Sequence, residues 1–278
     1  MTILLFTLVL FGGALIAGLL GSLTGLGGGV VIIPLLTIVL KVDIHYAIGA
    51  SLMSVIATSS GAASAYVKEG ITNLRLGMFL ELATTLGAVG GAWLATFLPT
   101  SVIAVIFGAI LFGSAFMSLF HIPDHIETRP QSRLSRKLKL NGSYPSGEGT
   151  TSYAVRNVIG GFFMMNLAGI ISGLLGIGSG ALKVIAMDSI MHVPFKASSA
   201  TSNFMIGVTA AASVGIYLRR GYIDPGLSMP IVLGVLIGAF LGSKMLFTAK
   251  TGSLKKLFAL VVFALALEMI YNGLHHKI

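Results

Sequence analysis

Cysteine is absent from this chain of 278 residues, and charge is scarce: only 10% of the residues are Asp, Glu, Lys or Arg. The missing cysteines exclude disulfide bridges, thiolate metal sites and covalent haem attachment. Hydrophobic residues make up 55% of the chain, a share that is typical of a protein whose solvent is lipid. The composition therefore indicates a membrane protein.

Long apolar runs supply the spans that such a protein needs. Each run is long enough to cross a hydrocarbon core of about 30 Å as a helix. They lie at residues 3–21, 46–67, 74–97, 102–120, 153–175, 197–218, 227–247 and 257–273. The first run has no basic residue ahead of it and is too long for a secretory leader, so we interpret it as a retained helix. The predicted fold class is an all-α polytopic membrane protein.

One polar stretch divides the chain and carries much of its positive charge. The net charge is +9, and six of the eighteen basic residues lie between positions 119 and 157. By the positive-inside rule this linker is cytoplasmic, which accounts for the charge without a nucleic-acid partner. Binding of anionic headgroups or of a partner is an alternative role for it. The predicted organisation is an N-terminal transmembrane repeat (1–120), a basic linker (121–152) and a C-terminal transmembrane repeat (153–278).

The two halves resemble each other at a constant offset of 151 residues. Sliding 18–91 onto 169–242 without a gap gives sixteen identities in 74 positions, and seven of these are glycines. The sequence therefore predicts an internal duplication. Duplicated halves are typical of transporters, in which interrupted helices at the repeat interface form the substrate site.

Two glycine clusters, GLGGG at 25–29 and GIGSG at 176–180, occupy matching positions in the halves. The apolar pieces that follow, 29–40 and 180–191, would reach only about 18 Å as helices. We predict that each cluster begins a half-helix whose amide end faces a buried anion. Close helix packing is the alternative for glycines in membrane helices, and we favour packing for Gly87, Gly90, Gly91, Gly234, Gly238 and Gly242.

The doubled pattern resembles the sulfite exporter TauE/SafE family of membrane transporters. The resemblance is carried by "AGLLGSLTGLGGGVVIIPLL" with "AIGASLMSVIATSSGAASAYVKEGITN", and by "AGIISGLLGIGSGALKVIAM" with "ASSATSNFMIGVTAAASVGIYLRRGYID". It covers nearly the whole chain apart from the linker. The resemblance implies transport of a small anion, mainly a sulfur-containing one such as sulfite or a sulfonate. Ser179 in place of Gly28, and Ile185 in place of Pro34, indicate that the two halves of the site are not equivalent.

Polar side chains near the glycine clusters complete the predicted site. Lys183 lies in the first turn of the second short piece, where an amine would attract an anion, unless it snorkels to an interface. Glu81 is the candidate for carrying a coupling proton, although it could instead pair with Arg75. We assign Thr58 and Thr209 to bonding between helices. The predicted substrate-binding residues are Gly25, Gly27, Gly28, Gly29, Ser51, Gly176, Gly178, Ser179, Gly180, Lys183, Thr201, Ser202 and Asn203.

The predicted function is secondary transport of this anion across the bacterial cytoplasmic (inner) membrane, as export coupled to the proton motive force. An anion channel or uniporter without proton coupling is the alternative, and an enzyme is disfavoured because the interior lacks a catalytic constellation. No cofactor or metal is expected, and the partners are the anion, the bilayer and, as an open option, further copies of the chain. About eight full transmembrane helices plus two short interrupted or re-entrant segments are predicted, with ten crossings as the alternative.

Overall fold

The computed structural model describes residues 2–24, 27–119, 132–146, 149–246 and 251–275. This part of the chain is mostly helical, with one small hairpin. The helices are α1 Ile3–Thr24, α2 Gly29–Pro34, α3 Ile44–Lys68, α4 Leu74–Ala95, α5 Thr100–Leu119, α6 Arg133–Lys137, α7 Val158–Leu175, α8 Gly180–Ile185, α9 Phe195–Arg219, α10 Pro225–Leu246 and α11 Thr251–Leu274. The strands are β1 Gly142–Ser146 and β2 Gly149–Tyr153, which pair antiparallel.

Six of these helices are long and apolar enough to cross a membrane by length and composition: α1, α3, α4, α7, α9 and α10. Shorter apolar helical stretches occur at Gly29–Val39, Thr100–Gly113 and Val262–Leu274. Large apolar side chains such as Leu86 and Phe163 are exposed on the outside, whereas many of the buried residues are Ala, Gly, Ser and Thr. This distribution suits a polytopic membrane protein, in which lipid covers the large side chains and small residues let helices approach closely.

The order of elements and their backbone angles recur 151 residues apart. The short helix α2 continues into a π-helical turn at Leu35–Val39, and α8 continues in the same way at Ala186–Ile190. Positive φ angles recur in matched pairs, at Gly27 and Gly178, Lys41 and His192, and Gly70 and Gly221. The two short helices therefore end in the same way, at Lys41 and His192, but their N-caps differ: Ser179 has a φ angle of +49° where Gly28 has −68°.

Two pairs of helices pack between the two halves. At the 151-residue offset α1 corresponds to α7 and α4 corresponds to α10. Helix α1 packs along α10, and in the same way α7 packs along α4. A Cβ at Gly238 or Gly242 would overlap the backbone of α1, and one at Gly87 or Gly91 would overlap the backbone of α7. Gly234 also lies against α1, so the packing interpretation fits five of the six assigned glycines. For Gly90 it was wrong, because nothing lies within 4 Å of a Cβ placed there.

The described part of the linker, together with the hairpin, is folded against the N-terminal end of α4. The Asn73 amide donates to the Leu140 carbonyl at 2.8 Å and to the Tyr153 hydroxyl at 3.0 Å, while its own oxygen accepts from the Leu76 N–H and caps α4. Leu140 and Tyr153 are buried there. The hairpin is thus anchored to the helical bundle, and the basic side chains Arg133, Arg136, Lys137 and Lys139 remain mostly solvent-exposed.

Candidate functional site

The two glycine turns meet in the interior, between α3 and α9. Gly27 and Gly178 both have φ angles near +75°, a left-handed conformation that strongly favours glycine. A Cβ at either position would contact Val55 of α3 and Ile206 of α9, at 2.7–4.0 Å. Helix α2 begins after one turn and α8 after the other, so two short helices start from one buried region, as the sequence predicted.

Each turn has a buried hydroxyl without a hydrogen-bond partner among the described residues. Ser54 Oγ lies 3.0 Å from the position of a Cβ on Gly28, and Ser179 Oγ belongs to the second turn itself. Ser179 is 4% exposed and lines a mainly apolar pocket together with Val30, Ile110 and Val262. Because buried polar atoms are almost always paired in folded proteins, two unpaired hydroxyls beside the glycine turns indicate a place for a ligand or for water.

Lys183 is completely buried and points to α9 rather than to the surface. Its ammonium group donates to Thr209 Oγ1 at 2.5 Å. The Thr209 hydroxyl lies 2.6 Å from Glu81 Oε1 on α4, to which it donates. A three-residue chain, Lys183–Thr209–Glu81, therefore links α8, α9 and α4. Full burial of Lys183 disfavours the snorkelling alternative.

Glu81 is 93% buried and does not pair with Arg75, which is exposed. Thr85 Oγ1 also donates to Glu81 Oε1, at 3.3 Å, whereas Oε2 has no partner among the described residues. The Lys183 amine acts on the Glu81 carboxylate electrostatically, and the Thr209 hydroxyl bridges the two groups. Glu81 thus faces the Lys183 region, in the interior, and not the basic loop.

Only part of the predicted polar set gathers at the glycine turns. Ser51 Oγ donates to the Gly176 carbonyl at 2.8 Å, and Ser202 Oγ donates to the Gly180 carbonyl at 3.2 Å, so both steady the second turn. Two other predicted residues are engaged elsewhere: Thr201 accepts from the Asn73 N–H, and Asn203 bonds within α9. Gly25 lies outside the described residues.

Thr209 bonds between helices as assigned, to Lys183 of α8 and Glu81 of α4, but its link to these two charged residues was missed. Thr58 was assigned in the same way and this was wrong, because its hydroxyl donates to the Ser54 carbonyl of its own helix. Ser54 was also missed by the sequence interpretation. The useful signal was a break in the repeat. Lys183 and Glu81 stand opposite Ile32 and Val232 at the 151-residue offset, so charge occurs in only one copy of each position.

No group of three or more His, Cys, Asp or Glu side chains that could hold a metal occurs within the described residues.

Among known proteins, the chain is 29% identical over 242 residues to the probable membrane transporter protein YdhB of Bacillus subtilis, covering 87% of this chain and 89% of that protein. It is 28% identical over 269 residues to the probable membrane transporter protein YunE of the same organism, covering 94% and 96%. A probable membrane transporter protein of Methanocaldococcus jannaschii, MJ0441, is 27% identical over 242 residues, covering 83% and 81%.

No solved structure matches the chain. The sequence model described as Sulfite exporter TauE/SafE matches residues 10–269, which is nearly the whole length and includes both glycine turns and the Lys183–Thr209–Glu81 chain. By this match, and in agreement with the apolar helices described above, the chain belongs to the sulfite exporter TauE/SafE family of membrane transporters.

Proposed function

We propose that this protein is a secondary transporter that carries a small, sulfur-containing anion, such as sulfite or a sulfonate, across the bacterial cytoplasmic membrane. The observation that carries this proposal is the buried meeting of the two glycine turns, with an unpaired hydroxyl beside each turn and a buried lysine on α8. Amides at helix starts, hydroxyls and an ammonium group are the donors that an oxyanion needs when it loses its water shell.

The organisation of the chain supports a carrier. We propose that the chain is an internal duplication whose substrate site lies where the two copies meet, since α3 packs on α9 and the Ser51–Gly176 hydrogen bond joins the halves. Eight crossings with two short interrupted segments remain our proposed topology. The basic linker between the copies then faces the cytoplasm.

Coupling to protons, with Glu81 as the carrier of the proton, is part of the proposal. A carboxylate that is buried among transmembrane helices is a common proton-binding site in transporters. A channel or uniporter would move the same anion without this coupling. Two features favour a carrier over a channel: the site is closed by packed side chains, and charged groups from both halves face each other inside it.

The test is flux into liposomes that contain the purified protein. Sulfite, methanesulfonate, sulfate and acetate are offered with and without an imposed pH gradient, and we expect saturable uptake of the sulfur anions that the gradient accelerates. Flux that does not saturate and ignores the gradient would favour the channel, and no flux of any of the four anions would contradict the proposal.

Gly178→Leu tests the location of the site. The new side chain would overlap Ile206 and would strain a residue with a φ angle of +74°. We expect flux to fall below a tenth of the parent value, whereas Gly90→Leu, in open space on α4, should keep it. Equal flux in both variants at equal protein levels would remove the glycine turn from the site.

A further inference from the structure

The Lys183–Thr209–Glu81 chain joins an ammonium group to a carboxylate through one hydroxyl, and the bonding in it is incomplete. The Thr209 hydroxyl has a single proton, and it accepts from Lys183, so the proton is available for Glu81 Oε1 or for the Met205 carbonyl at 2.9 Å. Glu81 Oε2 has no partner, and Thr209 is the one hydrogen-bond partner of the amine among the described residues. An amine and a carboxyl group are therefore held in the interior with donors and acceptors to spare.

Buried charges are usually satisfied more completely than this, because each unmet donor or acceptor costs free energy. The amine can donate three hydrogen bonds and makes one here. The backbone of Lys183 lies one helical turn after Ser179, whose hydroxyl is unpaired, since the Lys183 N–H donates to the Ser179 carbonyl at 3.1 Å. An oxyanion bound at this turn would provide acceptor oxygens both for the unused N–H donors of the amine and for the Ser179 hydroxyl.

We propose that Glu81 is an internal substitute for the transported anion. In the empty protein its carboxylate balances Lys183 through Thr209; when substrate arrives, the anionic group of the substrate takes over the amine and the Thr209 hydroxyl, and Glu81 is released. This inference rests on the proposed function, because it assigns the anion of that function to one amine.

The exchange has a fixed proton balance. A released carboxylate would be left without a counter-charge in a buried site, where the neutral acid is favoured, so it takes one proton from water. Before binding, the site holds one positive and one negative charge. After binding, it holds Lys183 with its positive charge, the bound anion and a neutral Glu81. One proton therefore accompanies each monovalent anion.

Few other ionisable groups could interfere with this exchange. Helix α4 packs against α7 and α9, and α7 has no ionisable side chain between residues 158 and 175. The other ionisable side chains of α4, α8 with its π-helical turn, and α9 lie on that turn or toward helix ends and are Arg75, Asp188, Lys196, Tyr217 and Arg219. Glu81 is the carboxylate that the structure connects to the amine.

The experiment measures binding of methanesulfonate to the purified full-length protein, because a sulfonate does not itself titrate near neutral pH. We expect Glu81→Gln to bind about tenfold more tightly than the parent, since the competing carboxylate is gone, and Lys183→Gln to bind at least tenfold more weakly. In weakly buffered solution the parent should take up one proton per anion bound, and Glu81→Gln none. Ser60→Ala removes an exposed hydroxyl of α3 that bonds within its own helix, so this variant should bind like the parent.

Glu81→Asp keeps the charge but shortens its reach, so it provides a second test if the glutamine variant folds poorly; it should also bind more tightly than the parent. Weaker binding in both Glu81 variants, or unchanged binding in Lys183→Gln, would overturn the proposal that Glu81 takes the place of the anion. If the parent protein still transports the anion in that case, the transporter proposal itself stands. Failure of the parent to bind or move any anion of the flux panel would instead defeat the transporter proposal itself.

Discussion

Lys183 and Glu81 should contribute to the stability of the folded protein only when both are present. We consider Lys183→Met, Glu81→Gln and the double variant, each of which keeps approximate side-chain size while removing charge. The two hydrogen bonds through Thr209, of 2.5 and 2.6 Å, separate the amine from Glu81 Oε1 by no more than their combined length. Coulomb's law then gives an attraction of roughly 3–4 kcal/mol for unit charges about 4–5 Å apart at an effective dielectric constant near 20.

Removing one partner leaves the other without its counter-charge in the interior, so that it must either stay charged or change its protonation state, and the loss for buried pairs is about 3–5 kcal/mol. Removing both replaces a charged pair with neutral side chains of similar volume, which is often close to neutral. We therefore expect each single variant to lower the apparent unfolding temperature by roughly 6–20 °C, at about 2–4 °C per kcal/mol, and the double variant to recover most of the loss.

The assay is thermal unfolding of the purified proteins in one detergent at one scan rate, because membrane proteins commonly unfold irreversibly and the midpoint then depends on the rate. The double-mutant cycle gives the coupling between the two positions. Losses that simply add, so that the double variant is the least stable of the four proteins, would refute the view that these residues compensate each other's charge.

Two further predictions concern packing. Gly91→Ala should destabilise the protein by about 1–3 kcal/mol because its Cβ would meet the Ile170 backbone, whereas its neighbour Gly90→Ala should be nearly neutral; equal midpoints in thermal unfolding would contradict the packing of α4 on α7. Asn73→Ala removes the cap of α4 and the hydrogen bond to Tyr153, so it should cost about 1–2 kcal/mol and speed proteolysis within the hairpin, and an unchanged cleavage rate would contradict this anchoring.

The main features of the fold could be predicted from the sequence because they depend on local composition. Apolar runs specify membrane helices, and consecutive glycines interrupt them, so the starts of α2 and α8 at Gly29 and Gly180 followed from the two clusters. The hairpin in the linker could not be predicted in this way. It forms from a polar stretch with no alternating pattern, and Leu140 and Tyr153 are buried in one cluster with Leu76 of α4 and Val158 of α7, which are distant in sequence.

The candidate site was harder to predict because its contacts are distant in sequence. Glu81 and Thr209 are 128 positions apart, and nothing local distinguishes that partner from Arg75, which is only six residues from Glu81. Thr201 looked equivalent to the neighbouring Ser202, yet one turns to the start of α4 and the other to the second glycine turn. Side-chain direction on α9, which packing decides, separates them.

The exchange of partners between the halves, α1 with α10 and α7 with α4, also imposes an order on biosynthesis. Helix α7 emerges from the ribosome about 60 residues after the end of α4, but α1 ends at residue 24 and its partner begins only at residue 225. During most of translation the small-residue face of α1, with Ala14 and Gly18, has no native partner. Helix α1 must therefore wait in the bilayer, or be held by the insertion machinery, until α10 has been made.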